Sequence, residues 1–139
     1  MYQISSNEML NTLISNIEQT VTTAKEKLAT SVNATITETY WQIGKYIVET
    51  EQDGKIKAAY GKKLLTTLSH ELTLRLGKGY SRPNLNNMRK FYLKYPNCQT
   101  VSDKLSWSHI CELIKLDDDL ERSFYERQTV NENWSVREL

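Results

Sequence analysis

The sequence predicts an all-α protein. Its 139 residues include only five glycines and two prolines, which is too few turn-forming residues for a fold built from many short strands. Apolar residues recur instead at intervals of three and four, the periodicity of an amphipathic helix. We therefore expect a long N-terminal helix, followed by a helical domain that contains a helix-turn-helix. We expect the wing of that motif to be short or absent.

The N-terminal part of the chain predicts a long helix, because residues 7–52 contain no proline and a single glycine. Its apolar positions alternate steps of four and three, the spacing of a coiled coil: Leu10, Ile14, Ile17, Val21, Ala24 and Leu28. The steps then become fours, which predicts a stutter or a break near 29–31. We interpret residues 1–30 as a helical arm and residues 31–139 as the domain. Dimerisation of the arm and packing of the arm on its own domain both remain open.

A dense apolar patch ends this helix and predicts a core. It consists of Tyr40, Trp41, Ile43, Tyr46 and Ile47. Aromatic side chains bury large apolar areas, so core packing is favoured over stacking of Trp41 on a ligand.

Charge is concentrated in residues 54–95, which hold ten of the eighteen basic residues and one acidic residue, a net charge of +9. Two apolar stripes in this segment predict two helices, one through Leu64 to Leu76 and one through Leu85 to Tyr95. Gly77 and Gly79 predict a tight turn between them, and Ser81 predicts an N-cap for the second helix. This order is the outline of a helix-turn-helix.

In that motif the second helix enters the major groove of DNA. Placing its apolar stripe inward points Asn86, Asn87, Lys90 and Lys94 outward, and Arg82 and Arg89 flank that face. Asparagine pairs with adenine, arginine with guanine, and lysine neutralises phosphate. The candidate nucleic-acid-binding residues are therefore Lys62, Lys63, Lys78, Arg82, Asn86, Asn87, Arg89, Lys90 and Lys94. The alternative is a lysine-rich face that is simply solvated.

The remainder of the chain predicts a loop and further short helices. Residues 97–104 form the loop, with Val101 as its apolar anchor. Ser106 caps a helix whose buried face includes Trp107 and Ile110. Asp117 to Asp119 end that helix and start another, where acidic side chains satisfy free amides and the helix dipole. The stripe of this next helix is Leu120, Phe124, Tyr125 and Val130, and Ser135 caps a last helical turn.

Several kinds of chemistry have no sequence signal. Gly77 and Gly79 lack the context of a Rossmann or P-loop motif, and no Gly-x-Ser-x-Gly nucleophile motif is present. The two histidines and two cysteines lack metal-ligand spacing. We therefore expect no enzyme activity in this chain, no metal, no cofactor and no small-molecule substrate. The absence of a long apolar run or signal peptide predicts no membrane association and a cytoplasmic location.

A series of motifs resembles one bacterial family. These are Tyr40-Trp41-Gln42-Ile43-Gly44-Lys45, Ala59-Tyr60-Gly61-Lys62, Gly77-Lys78-Gly79-Tyr80-Ser81, Met88-Arg89-Lys90-Phe91-Tyr92, Leu105-Ser106-Trp107-Ser108-His109 and Asn133-Trp134-Ser135-Val136-Arg137-Glu138-Leu139. They occur in the order found in the N-terminal domain of the YhcG family, a domain of unknown function, and run from about Leu28 to Leu139.

The resemblance implies a bacterial, nuclease-associated module, because in full-length members this domain precedes a nuclease domain of the PDDEXK type. That nuclease domain would follow residue 139 and has no counterpart in this sequence. The resemblance and the basic segment together predict a module that binds duplex DNA through residues 54–95. The alternative is a protein-interaction or homodimerisation module with no nucleic-acid role, in which the basic face meets the acidic flank of a second copy.

Overall fold

The fold is all-α, as the sequence predicts. The computed structural model describes residues 6–52 and 58–139, with side chains given for residues 6–52 and from residue 63 onward. Within these ranges lie five α-helices: α1 Ser6–Gln52, α2 Ala58–Leu76, α3 Arg82–Lys94, α4 Trp107–Leu113 and α5 Asp119–Asn131. A single 3-10 turn, Cys98–Thr100, occupies the predicted loop. No strand occurs in the described residues, in agreement with the expectation of a short or absent wing.

The N-terminal helix is continuous, which confirms the predicted long helix and excludes a break, one of the two alternatives expected near 29–31. Helix α1 runs through these residues without interruption. The Thr30 hydroxyl donates to the Lys27 carbonyl oxygen at 3.0 Å, which satisfies the hydroxyl on the helix itself. Threonine and serine are only mediocre helix formers, and nothing at these positions removes a backbone donor as proline would. The change in apolar spacing at Leu28 therefore changes which face is apolar and leaves the helix intact.

The chain divides into two compact units, Met1–Val32 and Asn33–Leu139. In the first unit, every described side chain up to Ala29 is exposed. The second unit contains the core, which is formed by two clusters of buried side chains. One cluster is Phe91, Leu105, Ile110, Leu113 and Ile114, and the other is Ile47, Leu85 and Met88.

Helix α3 is central to this core, since its three fully buried side chains are divided between the two clusters: Phe91 belongs to the first, and Leu85 and Met88 belong to the second. Trp41, predicted as a core residue, packs against the first cluster and donates its indole N–H to the Tyr95 carbonyl oxygen at 2.7 Å. That contact confirms the core interpretation of Trp41. The prediction of a buried Tyr46 is wrong, because this side chain is 60% exposed.

The turn between α2 and α3 follows the predicted glycine chemistry. Gly77 has a φ of 90° and Gly79 a φ of 107°, a backbone conformation that glycine adopts without a steric penalty. The Ser81 side chain accepts from the Asn84 amide and caps α3. The side-chain amide of Asn84 donates a hydrogen bond to the Gly79 carbonyl oxygen at 2.6 Å. This bond fixes the turn to the first residues of the helix.

The caps of the last two helices also follow the prediction. Ser106 and His109 form a capping box at the start of α4, and Asp118 accepts from the Leu120 and Glu121 amides at the start of α5. The apolar stripes are less well predicted. Leu76 and Leu120 are 62% and 83% exposed, because each lies near a helix end where no other element covers it.

Candidate nucleic-acid interface

The orientation of α3 is fixed by contacts with α1, α2 and α4. Phe91 of α3 meets Trp107 of α4 edge to face, with ring centroids 5.7 Å apart. The buried cluster that contains Leu85 packs against Leu65 and Leu68 of α2. On the α1 side, a Cβ at Gly44 would overlap the Met88 carbonyl group, so the two helix backbones are in direct contact. These contacts leave one narrow side of α3 uncovered.

The uncovered side carries four residues that are spaced four, four and three positions apart, and we call this set the outer stripe. It consists of Arg82, Asn86, Lys90 and Leu93. Arg82 and Lys90 are exposed, Asn86 is half-buried and Leu93 is 48% exposed. Among the side chains that the structure describes, Arg82, Asn86 and Lys90 make no hydrogen bond or ion pair. Three of the predicted site residues thus lie together, with free polar groups, beginning at the first residue of α3.

Three other predicted residues of α3 are engaged within the protein. Asn87 donates to the Cys111 sulfur at 3.6 Å. The Arg89 Nε donates to both carboxylate oxygens of Glu51, at 2.8 and 2.9 Å. The side chains of this ion pair are 32% and 26% exposed, so it is partly shielded from solvent. The structure does not bring Asn87 and Arg89 onto the outer stripe.

Lys94 is engaged most extensively. Its Nζ donates to the Ile114 carbonyl oxygen at 2.6 Å, to the Leu116 carbonyl oxygen at 3.3 Å and to the Asp117 carboxylate at 2.7 Å. Its side chain is 20% exposed. Carbonyl groups at a helix C-terminus lack helical partners and carry partial negative charge, so a lysine there is stabilising. Lys94 thus joins the end of α3 to the end of α4.

Electrostatic consequences of this arrangement appear at two neighbouring groups. The hydrogen bond and charge of Lys94 lower the pKa of Asp117, and the charge of Lys90 adds to this effect. Burial raises the pKa of the Cys111 thiol, although its hydrogen bond from Asn87 acts in the opposite direction. Asp117 therefore remains ionised beside one end of the outer stripe, and Cys111 remains a neutral thiol at neutral pH.

The predicted residues outside α3 add positive charge near the stripe in sequence. Lys63 on α2 and Lys78 in the turn are both exposed, and neither makes an ion pair with a described side chain. Lys62 falls outside the described side chains. A shallow groove lined by Leu65, Arg82, Pro83 and Asn86 joins α2 to the start of α3.

The helical-wheel prediction missed two residues of this region. Leu93 lies on the outer stripe, where apolar spacing gave no reason to expect it. Asn84 is turned toward α4 and accepts a hydrogen bond from the Trp107 indole N–H at 2.8 Å. Asn84 and Asn87 have side-chain amides that make hydrogen bonds within the domain, whereas the Asn86 amide has no partner among the described side chains. Composition alone could not show which of the three amides is free.

A separate cavity of about 480 Å³ lies between the C-terminal part of α1 and residues 96–103. Trp41 and Cys98 line it, and so does Thr37, whose hydroxyl oxygen is buried without a partner in the described part of the chain. Burial raises the pKa of the Cys98 thiol, so it is a poor nucleophile. This cavity shares no lining residue with the outer stripe.

The described residues contain neither a metal-binding cluster nor a membrane-spanning helix. No group of three or more histidine, cysteine, aspartate or glutamate side chains is placed to hold a metal ion there. None of the described helices is long and apolar enough to span a membrane.

The helical core, the glycine turn and the outer stripe define a helical domain with a basic surface on one central helix. The chain belongs to the DUF1016 N-terminal domain family, whose model matches residues 16–139. This confirms the resemblance found in the sequence motifs.

A relative from Escherichia coli (strain K12), named "Putative nuclease YhcG", is 36% identical over 151 aligned residues. The alignment covers 86% of this chain and 40% of that protein, so the chain spans well under half of the relative's length. No solved structure matches the chain.

Proposed function

We propose that this domain binds duplex DNA, with the outer stripe of α3 as the contact surface. The observation that carries the proposal is the set of three polar side chains, exposed Arg82 and Lys90 and half-buried Asn86, which align on one face just after the glycine turn and have no partner among the described side chains. A relative of this family is named as a nuclease, which makes nucleic acid the partner class that best matches a basic helix face. The N-terminal half of a recognition helix is the part that meets base edges in helix-turn-helix proteins.

Each residue on the stripe has a distinct chemical role in this proposal. Arg82 offers two parallel donors that suit guanine, and Asn86 offers a donor and an acceptor that suit adenine. Lys90, one turn further along, contacts phosphate or a base edge. Lys63 and Lys78 supply phosphate contacts from α2 and the turn. Asn87, Arg89 and Lys94 act by holding α3 in place.

The length of the relative supports a division of roles between two domains in a full-length family member. The relative continues well beyond the part that matches this chain. In a full-length family member, this domain would hold the substrate while a separate nuclease domain cleaves it. On this proposal the domain itself has no catalytic residue and requires no cofactor.

Charge reversal on the stripe tests the proposal. Arg82→Glu combined with Lys90→Glu should weaken binding to a fluorescein-labelled random duplex by at least about tenfold, because each contact contributes about 1–3 kcal/mol. The slope of log affinity against log salt concentration should fall in magnitude by about 1, since Lys90 is replaced as a phosphate contact whereas Arg82 is assigned to a base edge. Fluorescence anisotropy at several salt concentrations measures both quantities.

The matched control is Arg127→Glu combined with Arg137→Glu, which changes net charge equally at two exposed arginines, one on α5 and one after it. Circular dichroism would check that both variants are folded. Equal loss of affinity in both variants would mean that only net charge matters, and the assignment to the outer stripe would be wrong. No duplex binding by the unmodified protein, even at low salt, would overturn the proposal as a whole.

A protein-interaction module is the second candidate function, and the exposed apolar residues of the first unit favour it. If the basic face met an acidic surface of a second copy, the oligomer would dissociate as salt rises. If apolar packing of the arm held the copies together, the oligomer would persist in high salt.

A further inference from the structure

The first structural unit exposes an unusual number of large apolar side chains on one helix. Leu10 is 53% exposed, Ile14 44%, Ile17 54%, Val21 46% and Leu28 66%. Scattered exposed apolar residues are ordinary, but these five lie on one continuous stripe of α1. An apolar stripe of this kind on a helix typically packs against another surface.

The spacing of the stripe indicates what covers it. Its steps of four and three residues repeat every 3.5 residues, which matches a partner helix with the same repeat in a left-handed supercoil. In heptad notation Ile14, Val21 and Leu28 occupy the a positions, and Leu10, Ile17 and Ala24 occupy the d positions. None of the six is charged. The residues on the opposite side of the helix, such as Ser15, Thr22 and Gln19, are polar.

The sizes of these residues distinguish the two helix orientations. A parallel pair places each residue against its own copy, so Ala24 would face Ala24 and leave that layer underfilled. An antiparallel pair centred near Gln19 places Ala24 against Ile14, Ile17 against Val21 and Leu10 against Leu28. Every apolar position then meets an apolar position, and the smallest residue meets a large one, which fills the layers more evenly.

Charge complementarity favours the same orientation. Glu18 and Lys25 both occupy e positions, which flank the seam. In the antiparallel alignment, Glu18 of one copy and Lys25 of the other lie on the same side of the seam. Each side chain leans toward the N-terminus of its own helix, so the two side chains tilt toward each other. This gives two equivalent ion pairs. In a parallel pair, Glu18 would meet Leu13 and Lys25 would meet Thr20, so no ion pair would form.

We infer that residues 10–28 of α1 form an antiparallel two-stranded coiled coil with a second copy of this chain. The inference is independent of nucleic-acid binding, because it involves none of the residues of the outer stripe.

Sedimentation equilibrium of the full chain tests the inference, with Val21→Glu and Thr22→Glu as a matched pair. Both positions are exposed in the single chain, so the two substitutions affect its folding similarly. The unmodified protein and Thr22→Glu should be dimers at micromolar concentration and stay dimeric in 1 M salt. Val21→Glu should raise the dimer dissociation constant by at least about a hundredfold. A monomeric unmodified protein, or a Val21→Glu variant that dimerises normally, would overturn the inference.

Charge exchange tests the orientation. Glu18→Lys alone places like charges in both antiparallel ion pairs and should weaken the dimer by several-fold at low salt. Lys25→Glu alone should do the same, and the double variant Glu18→Lys with Lys25→Glu should restore the original dissociation constant. In a parallel dimer the three variants would differ little from one another, and that result would overturn the antiparallel arrangement.

Discussion

At the scale of single residues, Gly44 determines how closely α1 approaches α3. A Cβ added there would overlap the Met88 carbonyl oxygen, lie 2.7 Å from the Met88 carbonyl carbon and lie 3.1 Å from the Tyr92 Cβ. Backbone atoms cannot move aside as the end of a flexible side chain can. Only glycine allows this contact, although in helix interiors glycine is otherwise the least favourable residue after proline.

We therefore predict that Gly44→Ala lowers the free energy of unfolding by about 3 kcal/mol, through overpacking against the α3 backbone. Urea denaturation followed by circular dichroism measures this. Helix propensity alone predicts the opposite sign, a gain of about 1 kcal/mol. A stabilised Gly44→Ala variant would therefore mean that α1 and α3 are not in backbone contact at this position.

The candidate site on α3 could be only partly predicted from the sequence. A helical wheel correctly separates the buried Leu85, Met88 and Phe91 from the polar residues of α3. It cannot see that Glu51, remote in sequence, lies beside Arg89, or that the carbonyl groups ending α4 lie beside Lys94. Those contacts depend on how helices pack, and local periodicity carries no information about them.

At the scale of helices, α4 depends on a neighbour for its C-terminal end. It has only seven residues, and isolated helices of that length are unstable in water. Its start has a capping box, and near its end the Ile114 and Leu116 carbonyl oxygens accept hydrogen bonds from Lys94. The charge of Lys94 is thus used inside the domain.

We predict that Lys94→Met lowers the free energy of unfolding by about 1–3 kcal/mol, because hydrogen bonds from a charged group are lost. The affinity for a DNA duplex should change less than threefold, since the Lys94 ammonium already has three acceptors. Urea denaturation and fluorescence anisotropy measure the two effects.

Lys115→Met is the control for this prediction. Lys115 lies close to the same end of α4, but its side chain is 68% exposed and its ion pair with Glu112 is a surface pair. Such pairs contribute about 0–1 kcal/mol, so stability should hardly change. A Lys94→Met variant with normal stability and a large loss of DNA affinity would show instead that Lys94 contacts phosphate.

Helix types and most helix ends could be predicted because caps and glycine turns act locally. Ser81, Ser106 and Asp118 each accept from amides two or three residues ahead, so their effect can be read from the sequence alone. Whether α1 is continuous through 29–31 could not be decided from the sequence, because a change in apolar spacing signals a change of contact surface. It does not by itself signal a helix end.

At the scale of the whole molecule, the core and the exposed apolar stripe belong to different parts of the chain. Among the described residues, both buried clusters and the partly buried apolar side chains that pack against them lie at or beyond Tyr40. The stripe of the coiled coil ends at Leu28. The residues that stabilise the domain and the residues that would hold two copies together therefore do not overlap.

This separation predicts that a fragment of residues 33–139 folds on its own. Removing residues 1–32 takes away no member of either buried cluster, so the fragment should keep a single cooperative thermal transition within a few degrees of that of the full chain. It should be monomeric in sedimentation equilibrium, because the coiled-coil residues are gone. Its affinity for a short duplex with room for one domain should equal that of the full chain, since the outer stripe is retained. On a longer duplex the full chain should bind more tightly than the fragment, because a dimer engages two sites at once.

A fragment that unfolds at a much lower temperature would mean that residues 1–32 contribute to the stability of the domain. In that case the loss of dimerisation in the fragment could not be assigned to the coiled coil, and only the point variants of Val21 and Thr22 would decide the question.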